Sequence, residues 1–239
     1  MDFIFDKNIL KTYFSPVVSF TNKTMQKIGF PLELKRIPDP SEMITIEQQI
    51  NLAHLLSQVL FYNVKGAVVE LGCFTGNSSI QIRKIINYYD PSREFHVFDC
   101  FKWQHKLKED ILEAFIRNFR NSGLNMPHIH KGLFEETLEK ELPDPISFVH
   151  IDCGTGSNPN THRDLILFCL KQIYKRLSTG GICLLMDYHD KDLTLKGLDL
   201  NPGVKVACDV FFKDKSEKVS VLYGNHYSHG YFRKLHSAN

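Results

Sequence analysis

Apolar residues recur along this chain with two alternating periods. From Thr45 onward Ile46, Ile50, Ala53, Leu56 and Leu60 return at threes and fours, the spacing of one helix face. Gly66 ends that passage, and GAVVELGCFTGNSS reads as a short buried strand, Ala67 to Leu71, followed by a glycine-bearing turn. The helix after it carries Ile80, Ile82, Ile85 and Ile86 on its inner side. EFHVFD at 94–99 is a second strand, and Leu107, Ile111, Phe115 and Phe119 then repeat every four residues along a helix stripe. MPHIHKG supplies a third strand, ISFVHID at 146–152 a fourth, and helical spacing resumes through Leu165, Leu167, Leu170, Ile173 and Leu177. Gly180 and Gly181 are expected to stop that helix before ICLLMD, the fifth strand. VSVLYG and YFRKLH predict a closing hairpin, with NHYSHG as its turn.

Buried strands alternating with amphipathic helices across short loops predict an α/β fold with a three-layer sheet, mostly parallel with a terminal antiparallel strand. The domain is expected over residues 46–239. Residues 1–45, rich in Phe and Tyr and broken by Pro16, Pro31, Pro38 and Pro40, read as an arm or lid. Its aromatic side chains need cover, from the main core, from a pocket or from a second subunit, and the last option makes a homodimer one expectation.

Composition narrows the partners. Lys and Arg number 29 against 27 Asp and Glu, so a net charge of +2 gives no reason to expect nucleic acid. The six cysteines lack paired C-x-x-C spacing and read as small hydrophobes in a reducing compartment. The N-terminus has no signal-peptide pattern and no run is long enough to cross a bilayer, so the expectation is a cytoplasmic location without stable membrane insertion.

In such sheets ligands bind at the carboxyl ends of the strands, and Glu70, Asp99, Asp152 and Asp187 all fall near one. Gly72 and Gly76 mark a sharp turn that lets a ligand approach backbone, and the helix after it offers free amides to an anion. The turn has neither the G-x-G-x-x-G spacing of dinucleotide folds nor the spacing of a P-loop. A carboxylate at Asp99 is placed to bind two ribose hydroxyls; helix capping and simple solvation are its other readings.

With Glu70, Gly72 and Gly76 in view, the chain resembles the class I methyltransferases, which have a Rossmann-like sheet. More narrowly it resembles the macrocin O-methyltransferase family, on ELGCFTGNSS, FDCF, HIDCGTG, STGG, MDYHD and GVKVACDVFF taken in order. The resemblance implies S-adenosyl-L-methionine as cofactor and a sugar hydroxyl as acceptor. It places Gly72 and Gly76 at the border of the methionine part and Asp99 on the ribose, with Glu70, Phe74 and Ser78 also among the cofactor-binding residues. Lys131 and Gly132 fall near the adenine edge, Phe101 over the same pocket and Asp152 beside it. Core packing is the other reading of Phe101.

An alcohol needs a route for its departing proton, from a nearby base or a divalent cation. Asp152 and Asp187 are the catalytic candidates and, by resemblance, magnesium ligands. The chain departs from the family where Gly154 replaces the second Asp of H-I-D-x-D and Met186 the first Asp of D-D-Y. His189 or Asp190 could compensate, or the metal could be lost. His189 is the leading base without a metal, with surface exposure its alternative. His150 reads as a buried, hydrogen-bonded histidine on the other side of its strand from Asp152, and His226 and His229 as residues of the late turn that could border the acceptor. A catechol-like acceptor fits the two acids as well. A nucleotide-binding oxidoreductase, a catalytically silent cofactor-binding or scaffold protein and a nucleic-acid methyltransferase remain as alternatives.

Overall fold

The computed structural model describes residues 15–29, 44–102, 109–154, 158–193, 199–225 and 227–235. The chain divides into two units, Met1–Ile46 and Glu47–Asn239. Within the first, α1 spans Ser15–Lys27; most of the aromatic arm, like Leu107 and His226, lies outside the described residues.

In the second unit, α2 (Ile46–Phe61) leads into β1 (Ala67–Leu71), α3 (Asn77–Tyr89) and β2 (Phe95–Asp99). There follow α4 (Ile111–Ser122), β3 (His128–Lys131), α5 (Phe134–Glu141) and β4 (Ile146–Ile151). The chain ends with α6 (Pro159–Arg176), β5 (Leu177–Leu185), α7 (Gly203–Phe211), β6 (Ser220–Leu222) and β7 (His229–Arg233). The strands form one sheet in the order β3-β2-β1-β4-β5-β7-β6. The first five are parallel, and β7 runs antiparallel between β5 and β6. The mostly parallel three-layer fold with a terminal antiparallel region is therefore the one the periodicity predicts.

Side-chain alternation along the strands divides the core in two. Val69, Leu71, Phe98, Val149, Ile151 and Leu185 pack with Leu138, Ile166, Leu170 and Ala207 on one face. Val68, Val97, Phe148, Ile182 and Leu184 pack with Leu52, Leu56, Ile82, Ile86, Phe115 and Phe119 on the other. β1 and β4 are buried along their whole length, as central strands covered on both faces must be.

Three local expectations need correction. The buried stripe of α3 is Ile82, Ile85 and Ile86, with Ser79 and Arg83, while Ile80 is only half-buried. On α6 the stripe is Ile166, Cys169, Leu170 and Ile173, not Leu165 and Leu167. Gly180 and Gly181 do not stop a helix: α6 ends at Arg176 and the glycines lie inside β5. Between the pairs Ile146–Leu177 and Phe148–Ile182 the register slips, so the glycine pair accommodates an irregularity in the strand.

Candidate active site

The backbone ladder continues past the strand ends and holds four loop starts at one level. Gly72 N–H donates to the Phe98 carbonyl (2.9 Å), Asp152 N–H to Leu71 (2.8 Å), Met186 N–H to Ile151 (2.9 Å) and Gly132 N–H to Asp99 (3.1 Å). Asp99, Gly72, Asp152 and Asp187 thus leave neighbouring strands side by side. Gly72 has φ +81, and a Cβ there would lie 1.9 Å from the Asp152 carbonyl oxygen, so β1 and β4 approach here only because the position has no side chain. Gly76, φ +91, starts α3 with no side-chain cap, and its missing Cβ leaves room for the Phe115 ring.

Asp99 faces that turn. Its Oδ2 accepts from the Cys73 (2.9 Å) and Phe74 (3.0 Å) amides, and its Oδ1 from the Phe101 amide (2.7 Å). A carboxylate has about four acceptor sites, so three N–H bonds leave capacity for a ligand. Phe74, Phe101 and Asp187 are all non-glycine residues with positive φ (46, 53 and 59), one at each of three loops on this edge. Conformations of this kind persist where the surroundings impose them, and they cluster at functional sites.

The remaining candidates divide. Ser78 sits in the first turn of α3 and is nearly buried. Lys131 stands exposed at the end of β3, in register with Asp99, and Gly132 follows it half-buried. The Phe101 ring is 4% exposed and edge-on to Phe115, so core packing describes it; its amide is what reaches the site. Glu70 is fully buried, with one oxygen accepting from the Ser79 hydroxyl and the other 2.9 Å from His150 Nδ1. Both its oxygens are engaged by the protein, which makes Glu70 a clamp across β1, α3 and β4 beneath the turn. His150 is buried as foreseen, but its place relative to Asp152 needs correction: residues two apart on a strand share a face, and the Asp152 charge acts on the His150 ring. His150 Nε2 is buried without a hydrogen-bond partner among the described residues.

Electrostatics single out Asp152. Burial is the main push upward on its carboxyl; His150 pulls it down, Asp187, Glu70 and Asp99 add to the rise, and it stands at about 7. Burial also raises the Asp187 carboxyl, against the pull of the Asn201 amide and His162 and with a further push from Asp199. Burial lowers the His150 imidazole, but the Glu70 bond and charge, with Asp152, outweigh it and leave it raised.

His189 is buried with Nδ1 2.9 Å from the Ser228 hydroxyl, so the exposed alternative does not apply. Asp190 lies 3.6 Å from Lys205 Nζ. His229 belongs to β7, not to the late turn; it is fully buried with Nε2 3.1 Å from the Asn51 amide, and burial foremost lowers its imidazole to about 4.

The residues do not fit magnesium, which takes hard oxygen donors. Asp152 and Asp187 are present, but the space of a side chain at Gly154 holds the Asn201 amide, which donates to Asp187 Oδ2 at 2.8 Å. Met186 is buried, and no group of three or more His, Cys, Asp or Glu could hold a metal ion among the described residues. Asn201 escaped the sequence reading, since an Asn before Pro in a loop signals only a turn. At the amino end of the strands, a hollow of about 460 Å³ lined by Lys65, Asp90 and Arg93 gathers no comparable chemistry. Arg93 is already bonded there to Asp90 and to the Val64 and Gly66 carbonyls.

Residues 69–188 match the family described as a methyltransferase domain. The chain is 26% identical over 170 residues to mycinamicin III 3''-O-methyltransferase of Micromonospora griseorubida. That overlap covers 61% of this chain and 64% of the relative, less than two thirds of its length. The fold is similar to that of the O-methyltransferase NovP (TM-score 0.65, 21% identity, 83% of this chain and 84% of that one). It is also similar to CalS11, a TDP-rhamnose 3'-O-methyltransferase (TM-score 0.57, 16% identity, 93% and 96%). No described helix is long and apolar enough to cross a membrane.

The clamp reading of Glu70 is open to test. Breaking a buried pair costs about 3–5 kcal/mol, so Glu70→Gln is expected to lower the denaturation midpoint sharply, and Ser79→Ala by a smaller step of about 1–2 kcal/mol. A Glu70→Gln protein of unchanged stability that no longer binds ligand would return Glu70 to the list of direct contacts.

Proposed function

This chain belongs to the methyltransferase domain family, and on that premise we propose that it transfers the methyl group of S-adenosylmethionine to a hydroxyl oxygen of a small, polar, sugar-containing acceptor. The observation that carries the reading is the Asp99 carboxylate, turned into the glycine loop where β1 and β2 end together. In this reading Asp99 accepts from the ribose hydroxyls with its remaining lone pairs. Gly72, Phe74, Gly76 and Ser78 border the methionine part, and the uncapped first turn of α3 offers amides to its carboxylate. Lys131 and Gly132, one strand over, flank the adenine. Glu70 acts beneath them by holding the turn.

When bound in this cradle, S-adenosylmethionine would supply a sulfonium methyl for transfer to the acceptor oxygen, with S-adenosylhomocysteine as the leaving group. The acceptor proton has to leave, and Asp152 is assigned to take it, because a carboxyl raised to about 7 is both partly ionised and basic enough near neutral pH. Asp187 and His189 are each held by a protein partner and are assigned to shape the acceptor side. The acceptor class is supported by likeness: the names of the mycinamicin enzyme and of CalS11 describe methylation of a 3'' oxygen and of TDP-rhamnose.

Calorimetry with S-adenosylmethionine, S-adenosylhomocysteine and NAD tests the class, and selective binding of NAD would overturn it. Asp99→Asn is expected to weaken S-adenosylhomocysteine binding at least ~10-fold, since bonds to a charged acceptor contribute about 1.5–3 kcal/mol. With a responding sugar acceptor, the transfer rate should climb as pH rises through about 7, because only the ionised Asp152 takes the proton. Asp152→Asn should lose both the rate and that limb, whereas a wild-type profile flat between about pH 6 and 8 removes Asp152 as the base.

A further inference from the structure

Asp187 follows β5 at the carboxyl edge of the sheet with φ +59, in the left-handed region that Asp enters more readily than most non-glycine residues. What holds its side chain comes from far along the chain. Asn201, in the loop before α7, donates its amide to Asp187 Oδ2 at 2.8 Å, and its own carbonyl accepts from Val204 N–H (3.1 Å) at the start of that helix. The amide is therefore fixed at both ends of its residue, to the site and to the helix.

The third partner is an absence of atoms. A Cβ built on Gly154 would come 2.7 Å from Asn201 Nδ2, 3.4 Å from Asn201 Cγ and 3.2 Å from Asp187 Oδ2. Residue 154 and Asn201 consequently compete for one volume, and the Asn201 amide has it. Any side chain at 154 would displace the amide, and any group reaching Asp187 Oδ2 from that direction meets an N–H in place of a free oxygen. A divalent cation requires the opposite, oxygen lone pairs converging on a point.

We propose that the Asn201 amide takes the place of a divalent cation as the electropositive partner of Asp187, that Gly154 is the opening that admits it, and that the site works without bound metal. Asn201 is on this view a positioning residue for the acceptor side. The inference rests on the proposed function in naming that side and on the resemblance in expecting a cation there; the occupation of the volume by the amide stands on geometry.

Mn2+ titrated into the full chain, followed by electron paramagnetic resonance of the free ion, tests the exchange without any methyl transfer. The wild-type protein is expected to show no stoichiometric site below the millimolar range. The double variant Gly154→Asp/Asn201→Ala, which puts a carboxylate into the volume the amide leaves, should bind Mn2+ at least ~10-fold more tightly. Stoichiometric binding by the wild type that Asn201→Ala weakens would overturn the proposal, because Asn201 would then present its oxygen as a ligand. A folded double variant with no gain in Mn2+ affinity would overturn it too. Where an acceptor is in hand, Asn201→Ala should lower kcat at least ~10-fold with KM for S-adenosylmethionine unchanged, and a chelator should leave the wild-type rate as it was. Loss of wild-type rate on chelation would overturn the claim that the site works without bound metal, whereas absence of any methyl transfer, with or without chelator, would count against the proposed function and leave the Mn2+ result to decide the exchange.

Discussion

The Asp99 carboxylate accepts N–H bonds from Cys73, Phe74 and Phe101, and these three bonds decide the form of the carboxyl edge of the sheet. Two of the donors, Phe74 and Phe101, have positive φ, which costs a non-glycine residue about 1–3 kcal/mol. A hydrogen bond to an ionised acceptor contributes about 1.5–3 kcal/mol, so the carboxylate is of the right size to offset the strain. One residue thereby shapes the loops after β1 and β2 together. The same bonds orient the half-buried Asp99 toward the turn, so a ligand entering the turn meets an acceptor already in place.

A second polar layer lies directly below. Period-two alternation puts Glu70 under Gly72 and His150 under Asp152, with Glu70 bridging to His150 and Ser79. This layer governs the electrostatics of the one above it. Asp152 is raised by burial and by the carboxylates of Asp187, Glu70 and Asp99, while His150 restrains the rise. A core wholly apolar at these positions would remove the restraint and the local negative charge together. Glu70 and His150 are therefore best understood as setting the behaviour of a residue they need not touch.

Legibility in the sequence followed the strength of the physical constraint. β1, β2 and β4 are readable because a strand covered on both faces is mostly apolar, even with Glu70, His96 and His150 within these three. The acids at their ends were readable because a parallel sheet brings such ends together. Reading failed where tertiary context outweighs local propensity. Gly180 and Gly181 have the composition of a helix stop, yet they lie within β5 at a slip in its register with β4. Leu165 and Leu167 are better apolar residues than Cys169, but the rotation of α6 on the sheet buries Cys169. The relation of His150 to Asp152 was legible from alternation alone. Asn201 was not, because its meaning depends on a loop folding back against Gly154 and Asp187, and no local pattern records that.

This last contact bears on how sites on a shared fold diverge. Strand ends are fixed by the hydrogen-bond ladder, so Asp152 and Asp187 are delivered to the same edge whatever chemistry is done there. Loops between the strands and helices are free to change. Read along the chain, position 154 shows only a glycine. In three dimensions the absence of a side chain there leaves a volume, and a residue from the loop before α7 occupies it with an N–H directed at Asp187. Asp187 thus has a hydrogen-bond donor supplied by a different element. Motifs matched position by position along a chain register a departure of this kind as a defect; only the packing shows that a replacement came with it.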